Sequence, residues 1–286
     1  MGKREETLEK LQSVREIPTS SVKLVRMLQD PDARTEEIVK LIEFDPGLTA
    51  HILRIANSAY FGGLSWIQSV REAVMRLGQR FLLQTAMTML MSTVARRMKS
   101  DYDLPGEELW KHSIAVAIGT EAVAERLGKG NTDFFFTSGL LHDIGKFVIA
   151  SHPEGWKEEI VDRVNGGGKS LLDAETEVLG VNHAEAGSFV LNLWHIPEFI
   201  CEGVRYHHAP GEYPSGHIMS DNTISEFIHL ADEMCYRGEI VSKENYRPSE
   251  HFPGLMDKYG LTEEDEADIL SRVKERMEET LSIFQG

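Results

Sequence analysis

Cysteine is nearly absent from this chain: Cys201 and Cys235 are the only two, and they form no CxxC pair. That excludes a disulfide framework and a cysteine-ligated zinc module, and it leads to the expectation of a reduced, cytoplasmic protein. Long apolar runs are also missing. The longest, Phe81 to Ala95, is broken by Gln84, Thr85, Thr88, Ser92 and Thr93; it is too short and too polar for a bilayer span and reads as a buried helix. The opening residues Met1-Gly2-Lys3-Arg4-Glu5-Glu6 run straight into charge, so no signal peptide is expected, and Glu6 stands where an acylation signal needs Ser or Thr. Positive charge is the minority: 30 Lys and Arg against 46 Asp and Glu leave a formal net charge of −16. A surface of that sign repels phosphate backbones and anionic lipid, so neither nucleic acid nor a membrane is an expected partner. Strand-like alternation never persists beyond a few residues, and there is no internal repeat.

What is present is a helical pattern in a chain of 286 residues that are 41% hydrophobic, enough for a real core without staples. Leu8, Leu11 and Val14, then Val22, Leu24, Val25 and Leu28, recur at helical spacing. Asp30-Pro31-Asp32 ends one helix, and Thr35-Glu36-Glu37 opens the next, with Thr35 as its expected cap. That helix stops at Asp45-Pro46; another follows, and the loop Asn57 to Trp66 leads to Val70, Val74 and Leu77, with Gly78 punctuating before the apolar helix. Phe134-Phe135-Phe136 reads as buried helix or its lead-in. A composition change at Lys99 to Gly106 marks the expected boundary. The domains are then 1–105, an N-terminal helical half; 106–240, a histidine-rich half; and 241–286, a loop followed by an acidic helix opened by Thr262-Glu263-Glu264.

The histidines carry the chemistry. Of 11, only His51 precedes residue 106. In order come Glu108 and His112, His142-Asp143, His183, His207-His208 and Asp232, each in apolar helical surroundings. Burying so many ionisable groups is costly unless a charge satisfies them. A divalent cation supplies that charge and holds the imidazoles neutral. Glu108 and His112 stand four apart and share a helix face. Adjacent helical residues point about 100° apart, so Asp143 bridging two ions is the easier arrangement than His142 and Asp143 gripping one ion together. Imidazole and carboxylate suit iron, manganese, nickel or zinc, as one ion or two. Lys146 stands one turn past His142 and adds a point charge beside this group. Asn165-Gly166-Gly167-Gly168-Lys169-Ser170 is not a P-loop: Arg163 stands where the first glycine belongs, and no strand precedes it. It reads as a flexible loop between helices.

Leu141-His142-Asp143-Ile144-Gly145-Lys146 resembles the signature of HD-superfamily phosphohydrolases. The full order from Glu108 to Asp232 resembles the HD-GYP cyclic-di-GMP phosphodiesterases. The N-terminal half is similar to a narrower group. Arg15-Glu16-Ile17-Pro18, Leu28-Gln29-Asp30-Pro31-Asp32-Ala33, Asp45-Pro46-Gly47-Leu48-Thr49, Leu53-Arg54-Ile55-Ala56-Asn57-Ser58-Ala59-Tyr60-Phe61 and Ala73-Val74-Met75-Arg76-Leu77-Gly78 together resemble the HDOD domain, the HD-related output domain of bacterial signalling proteins.

The resemblance implies an all-α fold, a multi-helix HD-superfamily bundle with an N-terminal helical subdomain. It implies that His112, His142, Asp143 and Asp232 hold a first ion, that Asp143 bridges to a second at His183 and His207, and that His208 and Glu108 are peripheral ligands. Asp143 and Lys146 are then the residues expected to act in any catalysis. The leading expectation is a regulatory module of bacterial signal transduction that keeps the metal site and binds a signalling protein or a small nucleotide. A metal-dependent phosphohydrolase acting on a nucleotide or cyclic dinucleotide is the alternative, and a diiron redox or oxygen sensor is a third. The run after His207-His208, Ala209-Pro210-Gly211-Glu212-Tyr213-Pro214, is shorter than in HD-GYP proteins and has Glu212 where that motif has glycine, which argues against cyclic-dinucleotide hydrolysis.

Overall fold

A computed structural model describes residues 2–12, 19–30, 32–58, 61, 66–97, 104–129, 132–151, 155–212, 223–241 and 246–285. The protein is all-α, and among the described residues there is no strand. The helices in chain order are α1 (Lys3–Leu11), α2 (Thr19–Gln29), α3 (Thr35–Glu43), α4 (Pro46–Ala56), α5 (Val70–Arg97), α6 (Gly106–Arg126), α7 (Asp133–Leu141) and α8 (Ile144–Ser151). They continue with α9 (Trp156–Gly167), α10 (Leu171–Leu179), α11 (His183–Leu193), α12 (Glu198–Arg205), α13 (Thr223–Arg237), α14 (His251–Tyr259) and α15 (Glu263–Gln285). Among the described residues no helix is long and apolar enough to cross a membrane.

The chain forms two compact units, one of residues 16–90 with 276–286, the other of residues 1–15 with 91–275. The composition change predicts a first break at 105–106, whereas the units divide inside α5. The segment Lys99–Asp103, which carried that reading, lies outside the described residues, as do Arg15–Pro18, Ala59-Tyr60 and Tyr213-Pro214.

In the smaller unit, Asp45 caps α4 by accepting from Gly47 and Leu48 N–H at 2.9 and 3.0 Å, with Pro46 in the first turn. The expected cap at Thr35 is not made. Thr35 is already helical, Arg34 precedes α3 without a side-chain cap bond, and Arg34 instead pairs with Glu37 across the first turn. Asn57 closes the loop to Trp66: its side chain gives a hydrogen bond to Ile67 O at 2.9 Å and takes one from Ile67 N at 2.7 Å. Gly78 sits at φ 73 and ψ 163 and kinks α5, a conformation that glycine adopts without steric cost.

The larger unit is built around α6, which is buried from Leu109 through Ala124 except at Lys111. α7 lies against it at Gly139, where a Cβ would meet Val116 O at 2.8 Å and Thr120 Oγ1 at 2.6 Å. α8 crosses α11 at Gly145 and Gly187, whose backbones are in contact. α1 joins this unit at the α10–α11 junction: Thr7 Oγ1 donates to Leu179 O at 2.8 Å and Lys3 Nζ to Glu177 O at 2.6 Å. The acidic helix α15 is opened as expected, with Thr262 and Asp265 capping one another. One side of it packs on the unit: Ile269 and Val273 are buried, and Arg126 bonds Asp265 at 2.6 Å.

Candidate metal centre

The predicted ligands arrive from five places in the larger unit. α6 carries His112 and α13 carries Asp232. His183 is the first residue of α11, and His207 and His208 follow the end of α12. His142 and Asp143 fill the two-residue turn between α7 and α8 rather than lying within one helix. That turn removes the objection to both of them facing one ion. Asn182 caps α11 by accepting from Glu185 N at 3.0 Å, which fixes the direction in which His183 leaves the helix.

Two groups of ligand atoms form, each within 4.8 Å: His112, His142 and Asp232; and Asp143, His183, His207 and His208. The Asp143 carboxylate stands between them. Its Oδ2 lies 3.2 Å from His142 Nε2 and 3.5 Å from His112 Nε2. Its Oδ1 lies 3.2 Å from His183 Nε2 and 3.9 Å from His207 Nε2. Within the first group His112 Nε2 is 3.2 Å from both His142 Nε2 and Asp232 Oδ1. Within the second His183 Nε2 is 2.9 Å from His208 Nε2.

These residues fit a metal. Asp143 Oδ1, His207 Nε2 and Asp232 Oδ1 are buried with no hydrogen-bond partner, a condition that native interiors rarely tolerate. Behind the ligands, hydrogen bonds fix the ring orientation. His142 Nδ1 is 2.7 Å from Gly139 O, and His207 Nδ1 is 2.6 Å from Val204 O. Both rings therefore keep the proton on Nδ1 and turn Nε2 toward the centre. His229 Nδ1 lies 2.7 Å from His207 O and holds that backbone in turn.

The charges are polarised accordingly. Burial opposes protonation of His112, yet Asp143 and Asp232 outweigh it and raise its pKa to about 9. For His183 burial is likewise overcome, by Glu175 and Asp143, again to about 9. Burial and the neighbouring imidazoles hold His207 and His208 well below the usual histidine value. Burial works to raise Asp232, but His112 and His142 bring it down to about 2.

Lys146 is not a surface lysine. It is 5% exposed, and its Nζ lies 2.8 Å from Asp143 Oδ2. Glu108 does not join the centre: its half-exposed carboxylate takes Lys111 at 2.9 Å. Sharing a face with His112 leaves Glu108 one turn nearer the helix start, where the lysine is the available partner.

A cavity of about 520 Å³ opens beside the ligands, and its lining includes Lys146, His183, His208 and Asp232. Its further wall comes from two segments that the sequence reading did not connect with the site, the turn from Val164 to Leu172 and the stretch from Tyr246 to Ser249. Arg247 joins them by donating to Gly168 O at 2.6 Å. Tyr246 stacks on Tyr236 with ring centres 4.8 Å apart and donates to Glu233 at 2.9 Å. Ser249 Oγ is 2.7 Å from His229 Nε2. Of the glycine-rich string, Asn165 to Gly167 are the last residues of α9 rather than loop, and only Gly168 to Ser170 connect α9 to α10; Asn165, Lys169 and Ser170 also line the cavity.

The HDOD domain model matches residues 14–210. Asp232 and the wall from Tyr246 to Ser249 lie beyond that stretch. An uncharacterized protein of Treponema pallidum (strain Nichols) is 28% identical over 212 residues, which are 72% of this chain and only 40% of that protein. The crystal structure of an HDOD domain protein of unknown function from Geobacter sulfurreducens superposes with a TM-score of 0.68 at 25% identity, covering 97% of this chain and 94% of the other. That of a protein from Shewanella amazonensis SB2B, provisionally named a phosphohydrolase, does so with a TM-score of 0.66 at 21% identity, covering 93% and 97%; at that identity the likeness speaks for the fold.

Proposed function

This chain belongs to the HDOD family, and from that premise we propose that it is a bacterial signalling protein with a two-ion centre that acts on a phosphoester in the adjoining cavity. The observation that carries the reading is the Asp143 carboxylate, whose oxygens face separate ligand sets at 3.2 Å on either side. His112, His142, Asp143 Oδ2 and Asp232 would hold one ion; Asp143 Oδ1, His183, His207 and His208 would hold the other. Iron, manganese, nickel and zinc all suit these donors. Bound in pairs, such ions neutralise phosphoryl charge and activate a water at neutral pH.

The chain's own residues do the rest. Lys146 Nζ, at the cavity edge beside Asp143, receives a phosphoryl oxygen. Arg247 places positive charge on the wall of the same cavity, and Lys169 lies there paired with Glu177, in a protein that is otherwise strongly acidic. Tyr236, Tyr246, Leu171 and Leu172 offer an apolar wall to the organic part. The volume suits a small phosphorylated molecule such as a nucleotide.

The test is hydrolysis of bis(p-nitrophenyl) phosphate and of cyclic di-GMP by manganese- or iron-loaded protein. Turnover above that of an Asp143→Asn variant is expected for at least one of them. If neither exceeds that background, the second reading stands: a module that binds its signal without cutting it. That reading is favoured by Glu212, which sits in a short 3-10 turn, Pro210–Glu212, where the phosphodiesterase motif has glycine.

Metal binding should depend on pH in a stated direction. In the metal-free centre His112 and His183 titrate near 9, so at pH 7 both carry protons that an ion must displace. Apparent affinity therefore rises with pH, by about tenfold per unit for each ion, and levels off above about 9. Calorimetry in buffers of different ionisation heat should count about two protons released at pH 7. Proton release near zero would mean that these imidazoles are not displaced by metal.

A further inference from the structure

The imidazoles of the centre are held from behind in unequal ways. His142 and His207 face carbonyl oxygens, whereas His183 faces a carboxylate. Glu175 Oε2 lies 2.8 Å from His183 Nδ1 and accepts the backbone N–H of the same residue at 2.8 Å; Oε1 lies 3.0 Å from Nδ1. Glu175 is fully buried and belongs to neither ligand group. It comes from α10, whose first residues, Leu171 and Leu172, line the cavity. A carboxylate with no access to water is costly to keep unless its charge is used. A neutral amide would make the same backbone contact at lower cost.

We infer that Glu175 is a positioning residue dedicated to one of the two ions, the one shared by Asp143, His183, His207 and His208. The inference rests on the two-ion reading above. Glu175 fixes the proton of His183 on Nδ1, aims Nε2 at the ion and makes that ring a stronger donor. It makes none of these contacts to the other group, so its removal separates the two ions.

Glu175→Gln is the informative change. The amide oxygen keeps the backbone N–H of His183, so the start of α11 stays capped. Nδ1 then faces one amide oxygen and one NH2 in place of two carboxylate oxygens, and the ring loses the negative charge that makes it a stronger donor. The metal-free full-length chain is titrated with cobalt(II), and bound ions are counted by elemental analysis and followed by visible absorption. The wild type is expected to take two. Glu175→Gln should keep one at wild-type affinity and bind the second about 10- to 100-fold more weakly. In a His183→Gln background the same change should have no further effect, because the ring through which Glu175 acts is gone. Far-ultraviolet circular dichroism confirms that each variant is folded. The inference is overturned if Glu175→Gln takes both ions normally, if it weakens both equally, or if its cost persists without His183. A wild type that takes no cobalt ends the two-ion reading itself, and this inference with it.

Discussion

Asp143→Asn is expected to empty both metal positions at once. Elemental analysis should fall from two ions per chain to none, and hydrolysis should fall to the uncatalysed rate. The reason is the division of labour within one carboxylate: Oδ2 faces His142 and His112, and Oδ1 faces His183 and His207. An amide offers a single acceptor and no charge, so the second set loses its only carboxylate and the first is left with Asp232 alone. Asp232→Asn is the contrast. Asp232 meets only the first set, through His112 at 3.2 Å, and its loss should cost one ion. Retention of a full equivalent by Asp143→Asn would sink the bridging arrangement. Stability follows the same logic. Without metal, the variant leaves His112, His183 and Lys146 as buried cations around a neutral residue. Removing one partner of a buried charge cluster typically costs about 3–5 kcal/mol. With metal the gap widens, because an ion at a thousand times its dissociation constant stabilises the native protein by about 4 kcal/mol. At about 2–4 °C per kcal/mol for a unit of this size, the Tm should drop by at least about 10 °C.

The candidate ligand series was legible because its chemistry is unusual. Imidazoles and acids in apolar helical surroundings demand a counter-charge, and that demand can be read without coordinates. What could not be read was direction. Glu108 lies on the same face as His112, yet one turn of helix separates the centre from the solvent side, and Lys111 claims it. His142 and Asp143 were judged as helical neighbours, but a turn between α7 and α8 sets their side chains free to converge. Glu175 gave no signal, since a glutamate in a short amphipathic helix looks like any solvated acid until the fold closes over it. The Tyr246–Ser249 wall was hidden for another reason: it is irregular chain whose position depends on Glu233 and His229, far back in α13. The helices themselves followed from spacing and punctuation, as the kink at Gly78 shows. The cap at Thr35 did not, because boundaries depend on local bonds such as Arg34 to Glu37.

The glycine in Leu141-His142-Asp143-Ile144-Gly145-Lys146 yields the second large expectation. Gly145→Ala should dismantle the second ligand set while leaving the helices in place. A Cβ at 145 would lie 1.9 Å from His183 O, 2.7 Å from His183 C and 2.9 Å from Gly187 N. All three are backbone atoms, so no side chain can swing aside; α8 and α11 must move apart. Asp143 immediately precedes α8 and His183 opens α11, so the displacement enters directly between Asp143 Oδ1 and His183 Nε2, now 3.2 Å apart. Overpacking of this kind costs about 1–3 kcal/mol and sometimes more, and rigid neighbours put this case at the upper end. The expected readouts are a Tm lowered by roughly 6–12 °C, unchanged helical dichroism, and loss of one metal ion. Gly166→Ala is the matched control, because nothing lies within 4 Å of a Cβ there. It should be neutral or stabilising by about 0.4–1 kcal/mol through the unfolded chain. If the two variants behave alike, the close crossing of α8 and α11 is not what holds His183 against Asp143. If they differ as described, the glycine of the motif is explained by the metal centre: it is the residue that lets two backbones come close enough for one carboxylate to serve both ligand sets.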